Sequence, residues 1–337
     1  MKFLVIGLGS MGKRRIRCLQ YLGHTSIFGF DIRADRRAET SDIYGIKIFD
    51  DFAKSLECSQ PDALIISVAP DLHHIYIAIA LKHKIPFFVE ASVVDDGMVK
   101  CIADLKDAKI VGAPSATLLF HPAITLINSI VNSGGIGKLS NVIYHSGQYL
   151  PDWHTYEKVS DYYVSKPATG GAREIVAFEL TWLTQVFGFP ERVCSHFRKT
   201  VTIPGAEDID DTYNVLLDYE NFLVSFTVDV VSRYATRRLL ANGDLKQLVW
   251  DWSEECIRVY DPVSLKWEII SYDAGISAQG YHTNIGESMY IEEIRCFIDS
   301  LDGNRSFVNT LEKDYQVLQL LYALEESDRK GLFVRVS

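Results

Sequence analysis

Several things are scarce in this 337-residue sequence. Its six cysteines, Cys18, Cys58, Cys101, Cys194, Cys256 and Cys296, lie far apart and form no CxxC pair. That excludes a clustered zinc site and a dense disulfide framework, and points to reduced thiols in a cytoplasmic protein. No histidine has the spacing to Asp, Glu or Cys that a metal site needs, so no metal is expected. Long apolar runs are missing too. Residues Phe3 to Ile6 are apolar, but Gly7 and the charges from Lys13 onward end the run far short of a signal segment or a membrane span. The sequence therefore predicts a soluble, unexported protein with no membrane partner. Basic charge is in deficit, with 34 Lys and Arg against 44 Asp and Glu and a net charge of −10. A nucleic-acid partner is disfavoured, because such proteins concentrate cations against phosphates, and the cluster Lys13, Arg14, Arg15, Arg17 is too short to supply that surface. There is no Gly-x-Ser-x-Gly elbow, phosphate P-loop, internal repeat or low-complexity tract, so nucleophilic hydrolysis and NTP chemistry have no support.

What is present is a globular composition, 47% hydrophobic and 23% charged, on a chain long enough for two domains. The first part alternates short apolar runs with helical stretches. Strands are expected at Lys2–Ile6, Ser26–Phe30, Ile46–Phe49, Ala63–Val68, Phe87–Glu90 and Lys109–Gly112, with a helix from His73 to Lys84. This βαβαβ pattern predicts a doubly wound parallel sheet of the Rossmann type over residues 1–118. Residues 119–337 read as an α+β domain for substrate and oligomerisation, built on a large, mostly antiparallel sheet. Its signals are hairpins around Tyr219-Glu220-Asn221 and Asn242-Gly243-Asp244. A helix at Pro122–Ser133 precedes them, and two amphipathic helices follow, the last capped near Asn309 or Thr310.

Gly7-Leu8-Gly9-Ser10-Met11-Gly12 follows a predicted strand and opens a predicted helix, the context that makes a glycine pattern specific. Gly7 allows the tight turn, Gly9 admits a pyrophosphate to the backbone, and Gly12 lets the helix pack on the strand, with amides of Ser10 and Met11 facing the phosphate charge. Asp31 ends the second strand nineteen residues after Gly12, where a carboxylate accepts hydrogen bonds from both adenine-ribose hydroxyls and repels a 2′-phosphate. NAD is expected as cofactor. NADP stays the alternative because Arg33, Arg36 and Arg37 follow, and an arginine there can stack on adenine or neutralise a phosphate. For Arg36 and Arg37 a solvated loop face is the preferred reading.

With this fingerprint, the rest of the chain resembles the Gfo/Idh/MocA oxidoreductase family from end to end. Val68-Ala69-Pro70-Asp71-Leu72-His73 resembles the segment covering the nicotinamide side. Glu90-Ala91-Ser92 lies where the family carries Glu-Lys-Pro, and His121-Pro122-Ala123 resembles the start of the second domain. Gly147 to His154 and Thr169-Gly170-Gly171 look most like a branch associated with surface-polysaccharide and nonulosonic-acid sugars. The resemblance implies an NAD(P)-dependent oxidoreductase acting on a sugar or nucleotide-sugar hydroxyl or carbonyl. It also implies a homodimer or homotetramer joined through the C-terminal sheet, with Glu90 at the nicotinamide ribose.

The sequence departs from the family at the chemistry. Ala91 stands in place of the Lys, Ser92 in place of the Pro, and the family's helical Asp and His fall on Ile175 and Phe178. Hydride transfer needs a positioned acid or base for the accompanying proton, so a non-standard set is expected. Glu179 is the first candidate base, one turn beyond Ile175. Glu174 is a second catalytic candidate and, with Arg173, a possible substrate-binding ion pair or anion clamp. Lys166 is an electrostatic substitute for the missing lysine unless it is simply exposed. Tyr149, His154 and His121 are further substrate-binding candidates, and His121 is alternatively a helix cap. The competing reading is a non-catalytic or regulatory dinucleotide-binding protein that kept the fold and lost the chemistry.

Overall fold

In the computed structural model the described residues are 1–153, 157–275 and 286–336. They form two compact units, Met1–Thr117 with Tyr290–Tyr315, and Leu118–Met289 with Gln316–Ser337.

The first unit begins β1 (Phe3–Ile6), α1 (Ser10–Tyr21), β2 (Ile27–Phe30), α2 (Ala34–Tyr44), β3 (Lys47–Phe49), α3 (Phe52–Ser59) and β4 (Ala63–Ile66). It continues with α4 (His73–His83), β5 (Phe87–Val89), α5 (Met98–Ala108) and β6 (Gly112–Pro114). Six strands pair in the order β3-β2-β1-β4-β5-β6, every pair parallel. β1 and β4 are buried along their whole length, as strands covered by helices on both faces must be. The order reverses direction at β1, and ligands of such sheets bind beside that switch point at the strands' C-terminal ends. Most boundaries fall within one or two residues of expectation, and the largest shift is at β6: Lys109 caps α5 in the left-handed conformation, at φ 54°, so β6 starts at Gly112 rather than at Lys109.

The second unit contains α6 (Pro122–Asn132), β7 (Leu139–Tyr149), α7 (Gly171–Phe187), β8 (Arg192–Arg198), β9 (Thr212–Asp218) and β10 (Leu223–Asp229). β11 (Val231–Gly243), β12 (Gln247–Asp251), β13 (Cys256–Asp261) and β14 (Lys266–Ser271) complete its main sheet. The chain closes with α8 (Ser288–Leu301), α9 (Leu311–Lys330) and β15 (Val334–Arg335). Nine strands pair in the order β14-β13-β12-β11-β7-β10-β9-β8-β15, antiparallel except for β7 with β10. Both expected hairpins form, as β9–β10 and β11–β12. Alternation along the strands gives the sheet two faces. Val142, Tyr144, Val215, Leu217, Val224 and Phe226 are buried, whereas Ile143, Leu216 and Leu223 are exposed. Thr310 caps α9 by accepting the Lys313 amide at 3.2 Å. Among the described residues no helix is long and apolar enough to cross a membrane, and no cluster of three or more His, Cys, Asp or Glu is placed to hold a metal ion.

Candidate functional site

The glycine loop after β1 has the geometry of a phosphate cradle. Gly7 adopts φ +87°, and a Cβ there would lie 2.4 Å from the Ser67 carbonyl oxygen; a Cβ on Gly12 would lie 1.8 Å from the Gly7 carbonyl oxygen. Only glycine lets the turn, the helix and β4 approach this closely. Gly9 is the N-cap of α1 and brings no side-chain acceptor to the positive end of the helix, as an anion site requires. Asp31 is buried. Its Oδ2 accepts the Leu8 amide at 2.7 Å and its Oδ1 the Arg33 amide at 2.8 Å, which holds the carboxylate against the glycine loop. Each oxygen retains a second lone pair for a ribose hydroxyl.

The three arginines differ from one another. Arg33 pairs with Asp35 at the surface. Arg37 Nη1 donates to the carbonyls of Asp31 and Ile32 and so clamps the loop rather than extending into solvent. Arg36 lies over the glycine loop, its Nη1 3.3 Å from where a Gly9 Cβ would sit. The solvated reading of Arg36 and Arg37 is corrected accordingly.

Val68 lines the same turn, its Cγ1 3.1 Å from the Gly7 Cβ position. Pro70 is buried and opens a short 3-10 turn after Ala69. His73 opens α4, as expected. Its Nε2 is 3.1 Å from the Val68 carbonyl, and burial lowers its pKa to about 4, so the ring is neutral near pH 7. Ala91 is half-buried and offers no polar atom. Burial pushes the Asp314 carboxyl up to about 7, with the hydroxyl and amide of Ser92 pulling it the other way.

Glu90 accepts a bidentate contact from Arg15, with Nε to Oε1 and Nη2 to Oε2 both at 2.8 Å, and a hydrogen bond from Ser67 at 3.0 Å. Arg15 also donates to Glu293 on α8 at 2.8 Å. Glu293 further accepts from Ser115, the Ala116 amide and Thr117. The side chains of Arg15 and Glu293 are both 0% exposed. Two members of the basic run thus point inward, since Arg14 is buried as well. Glu293 was legible only indirectly: it is an acid on the buried stripe of α8 that carries Met289 and Phe297.

In the second unit, Glu179 is fully buried and accepts four hydrogen bonds. Tyr144 and Trp182 donate to Oε2, both at 2.7 Å, and Ser146 and Arg237 donate to Oε1, both at 2.8 Å. Every lone-pair direction is in use. Glu174, in the first turn of α7, is the opposite case. Tyr163 donates to its Oε1 at 2.6 Å, while Oε2 is closed to solvent with no hydrogen-bond partner among the described residues. Burial raises its pKa from 4.5 to about 7, with the Tyr163 hydrogen bond pulling the other way.

Arg173 does not pair with Glu174. It is buried against Glu325 and the Ala168 carbonyl, because neighbouring helix positions point about 100° apart. The expected two-residue clamp is therefore absent. Lys166 is exposed, and its carbonyl accepts the Gly170 amide that leads into α7. Half-buried Tyr149 carries Arg233 over its ring at 3.7 Å. His121 caps α6, Nδ1 accepting the Ala123 amide at 3.2 Å, and stacks on Trp252 with ring centroids 4.4 Å apart. Burial, helped by Arg237, lowers its pKa to about 3. His154 lies outside the described residues. Tyr163 had no signal in the sequence, since nothing local ties it to a helix eleven residues on.

Residues 1–95 match a family model described as an oxidoreductase family with an NAD-binding Rossmann fold. Residues 124–249 match that of the GFO/IDH/MocA C-terminal domain. No curated protein matches the chain. Among solved structures, an oxidoreductase from Agrobacterium radiobacter in complex with NAD+, L-tartaric acid and magnesium is similar at TM-score 0.85 and 16% identity, covering 100% of this chain and 98% of that one. A levoglucosan dehydrogenase in complex with NADH and L-sorbose gives 0.83 and 16%, covering 100% and 99%. A probable dehydrogenase from Thermotoga maritima gives 0.81 and 19%, covering 100% and 99%. At these identities the structural likeness is one of fold.

Proposed function

This chain belongs to the Gfo/Idh/MocA oxidoreductase family, and we propose that it is an NAD-dependent oxidoreductase of a sugar or nucleotide-sugar hydroxyl or carbonyl, with Glu174 in the acid/base role. The observation that carries this reading is the contrast between the two carboxylates of α7. Glu179 has every acceptor site occupied, whereas Glu174 has a buried oxygen with no partner among the described residues and titrates near neutrality. A general acid/base works best with its pKa near the working pH.

Residues of the first unit fit the dinucleotide: the Gly7–Gly12 turn leaves room for a pyrophosphate, Asp31 serves the ribose, and Arg36 lies beside the loop. A bound nicotinamide would supply the hydride acceptor, or in reverse the donor, for the carbinol carbon. In the oxidation direction the substrate C–H bond breaks with its hydride leaving to the cofactor, a carbonyl forms, and the hydroxyl proton passes to the Glu174 carboxylate. In reduction the protonated Glu174 returns it. Tyr163 holds Oε1 and so orients the carboxyl. Glu179 is a positioning residue, anchoring α7 to β7 through Tyr144 and Ser146 and to β11 through Arg237. Tyr149 serves the substrate side, and subunits associate through the C-terminal sheet.

The test is incubation with NAD and panels of sugars and nucleotide sugars, following NADH absorbance with product analysis to catch a cofactor recycled within each turnover. Turnover that survives Glu174→Gln unchanged rejects Glu174 as the base. NAD binding without any turnover supports instead a dinucleotide-binding protein without catalysis, the reading that Ala91 favours.

A further inference from the structure

β11 does not run evenly along β7. From Thr236, opposite Gly147, the two strands pair residue for residue as far as Asn242, but in the other direction the next pair is Val231 with Tyr149. Four residues, Ser232 to Ala235, therefore stand against Gln148 alone. Such a bulge gives up ladder hydrogen bonds and is kept where it re-aims a side chain. Several contacts hold this one in place. Asp229, itself buried, accepts the amides of Val231 and Ser232 on Oδ1 at 3.0 and 2.7 Å, and the Ser232 hydroxyl on Oδ2 at 3.0 Å. His145 Nε2 lies 2.7 Å from the same Oδ2, and the Thr236 hydroxyl donates to the Tyr234 carbonyl at 3.1 Å. Across the pair, a Cβ on Gly147 would lie 2.4 Å from the Ser232 hydroxyl oxygen, so the bulge closes onto bare backbone.

What the bulge presents is Arg233. Its side chain is exposed, and its guanidinium lies over the Tyr149 ring at 3.7 Å. Stacking engages the flat face of the guanidinium and leaves the N–H groups, which lie in its plane, directed outward. Among the described residues none of them pairs with a carboxylate. Arg238, further along the same strand, is by contrast paired with Asp251 at 2.6 Å. In a chain of net charge −10, an arginine fixed in orientation and left without an acid is arranged for an anion from outside. Its parallel donors fit two oxygens of one phosphate or carboxylate.

We propose that Arg233, stacked on Tyr149, is an oxyanion-binding site for the substrate. The substrate is then an anionic sugar, carrying either a phosphate, as a nucleotide sugar does, or a carboxylate. This rests on the reading of the chain as an oxidoreductase of a sugar or nucleotide sugar, and narrows it to the charged members of that class.

The test is binding rather than turnover, which keeps it separate from that reading. The full chain is saturated with NAD, to occupy the cofactor's own phosphate positions, and titrated calorimetrically with UDP, inorganic pyrophosphate, glucuronate and glucose. At least one class of anion is expected to bind more tightly than glucose, and which class it is separates a phosphorylated substrate from a carboxylated one. Arg233→Ala should weaken that anion on the order of tenfold to a hundredfold. Arg233→Lys, which keeps the charge and loses the fork, should recover only part of it. Arg238→Ala removes the same charge from the same strand and should leave binding unchanged, and circular dichroism checks that each variant folds. Anions that bind no more tightly than glucose overturn the site, as does anion binding that Arg233→Ala leaves unchanged. An equal loss in Arg238→Ala assigns the effect to surface charge and overturns it as well. Anion binding that requires Arg233, with no turnover of any charged sugar, sustains the site and rejects the oxidoreductase reading. Turnover of neutral sugars that Arg233→Ala does not alter has the opposite outcome.

Discussion

Glu174→Gln isolates the carboxyl on which the proposed chemistry rests. In the unfolded chain this group titrates at its ordinary value of 4.5, and in the folded protein burial lifts it to about 7. The folded state therefore holds its proton more tightly. The contribution to stability is fully present below pH 4.5, falls as pH rises through 7, and is constant beyond that. A shift of this size corresponds to about 3 kcal/mol, at 1.36 kcal/mol per pKa unit. Glutamine keeps the shape and the acceptor for Tyr163 but cannot ionise. Urea unfolding of both proteins between pH 4.5 and 8.5 should show the wild type losing about 3 kcal/mol relative to the variant as pH rises. A difference that stays flat across this range would refute the argument, because it would mean the carboxyl is ionised in the folded protein as it is in water. Given a substrate, the same variant should lose on the order of 10²- to 10⁴-fold in kcat with KM little changed.

Three other expectations follow from particular contacts. Gly12→Ala places a methyl group 1.8 Å from the Gly7 carbonyl oxygen and should weaken NAD binding on the order of 100-fold, read by isothermal titration calorimetry; unchanged affinity would remove the loop from the cofactor site. Arg15→Met leaves buried Glu293 and half-buried Glu90 without their shared cation and should cost about 3–5 kcal/mol in urea unfolding, whereas a loss below 1 kcal/mol would show that the two acids find other partners. Asp314→Asn should stabilise the protein above pH 7, by up to about 4 kcal/mol, because burial raises that carboxyl from 3.8 to about 7. The gain should vanish near pH 4, and a gain independent of pH would assign the effect to packing.

The dinucleotide cradle, Asp31, the β9–β10 and β11–β12 hairpins and the helix openings at His73 and Pro122 were legible in the sequence because each rests on local covalent geometry. A glycine required by a turn, a proline at a helix start and an alternation of period two do not depend on what lies across the fold. The roles of the charged side chains were not legible, because a carboxylate is defined by what faces it. Glu174 and Glu179 are five residues apart on one helix, yet the four donors to Glu179 come from β7, from β11 and from one turn along α7, whereas one oxygen of Glu174 faces none among the described residues. Arg15 appeared as part of a surface basic run until Glu293, on a helix near the other end of the chain, closed around it. Only tertiary packing decides which acid is desolvated and which is paired, since the energy of burying a charge depends on partners that sequence spacing does not encode.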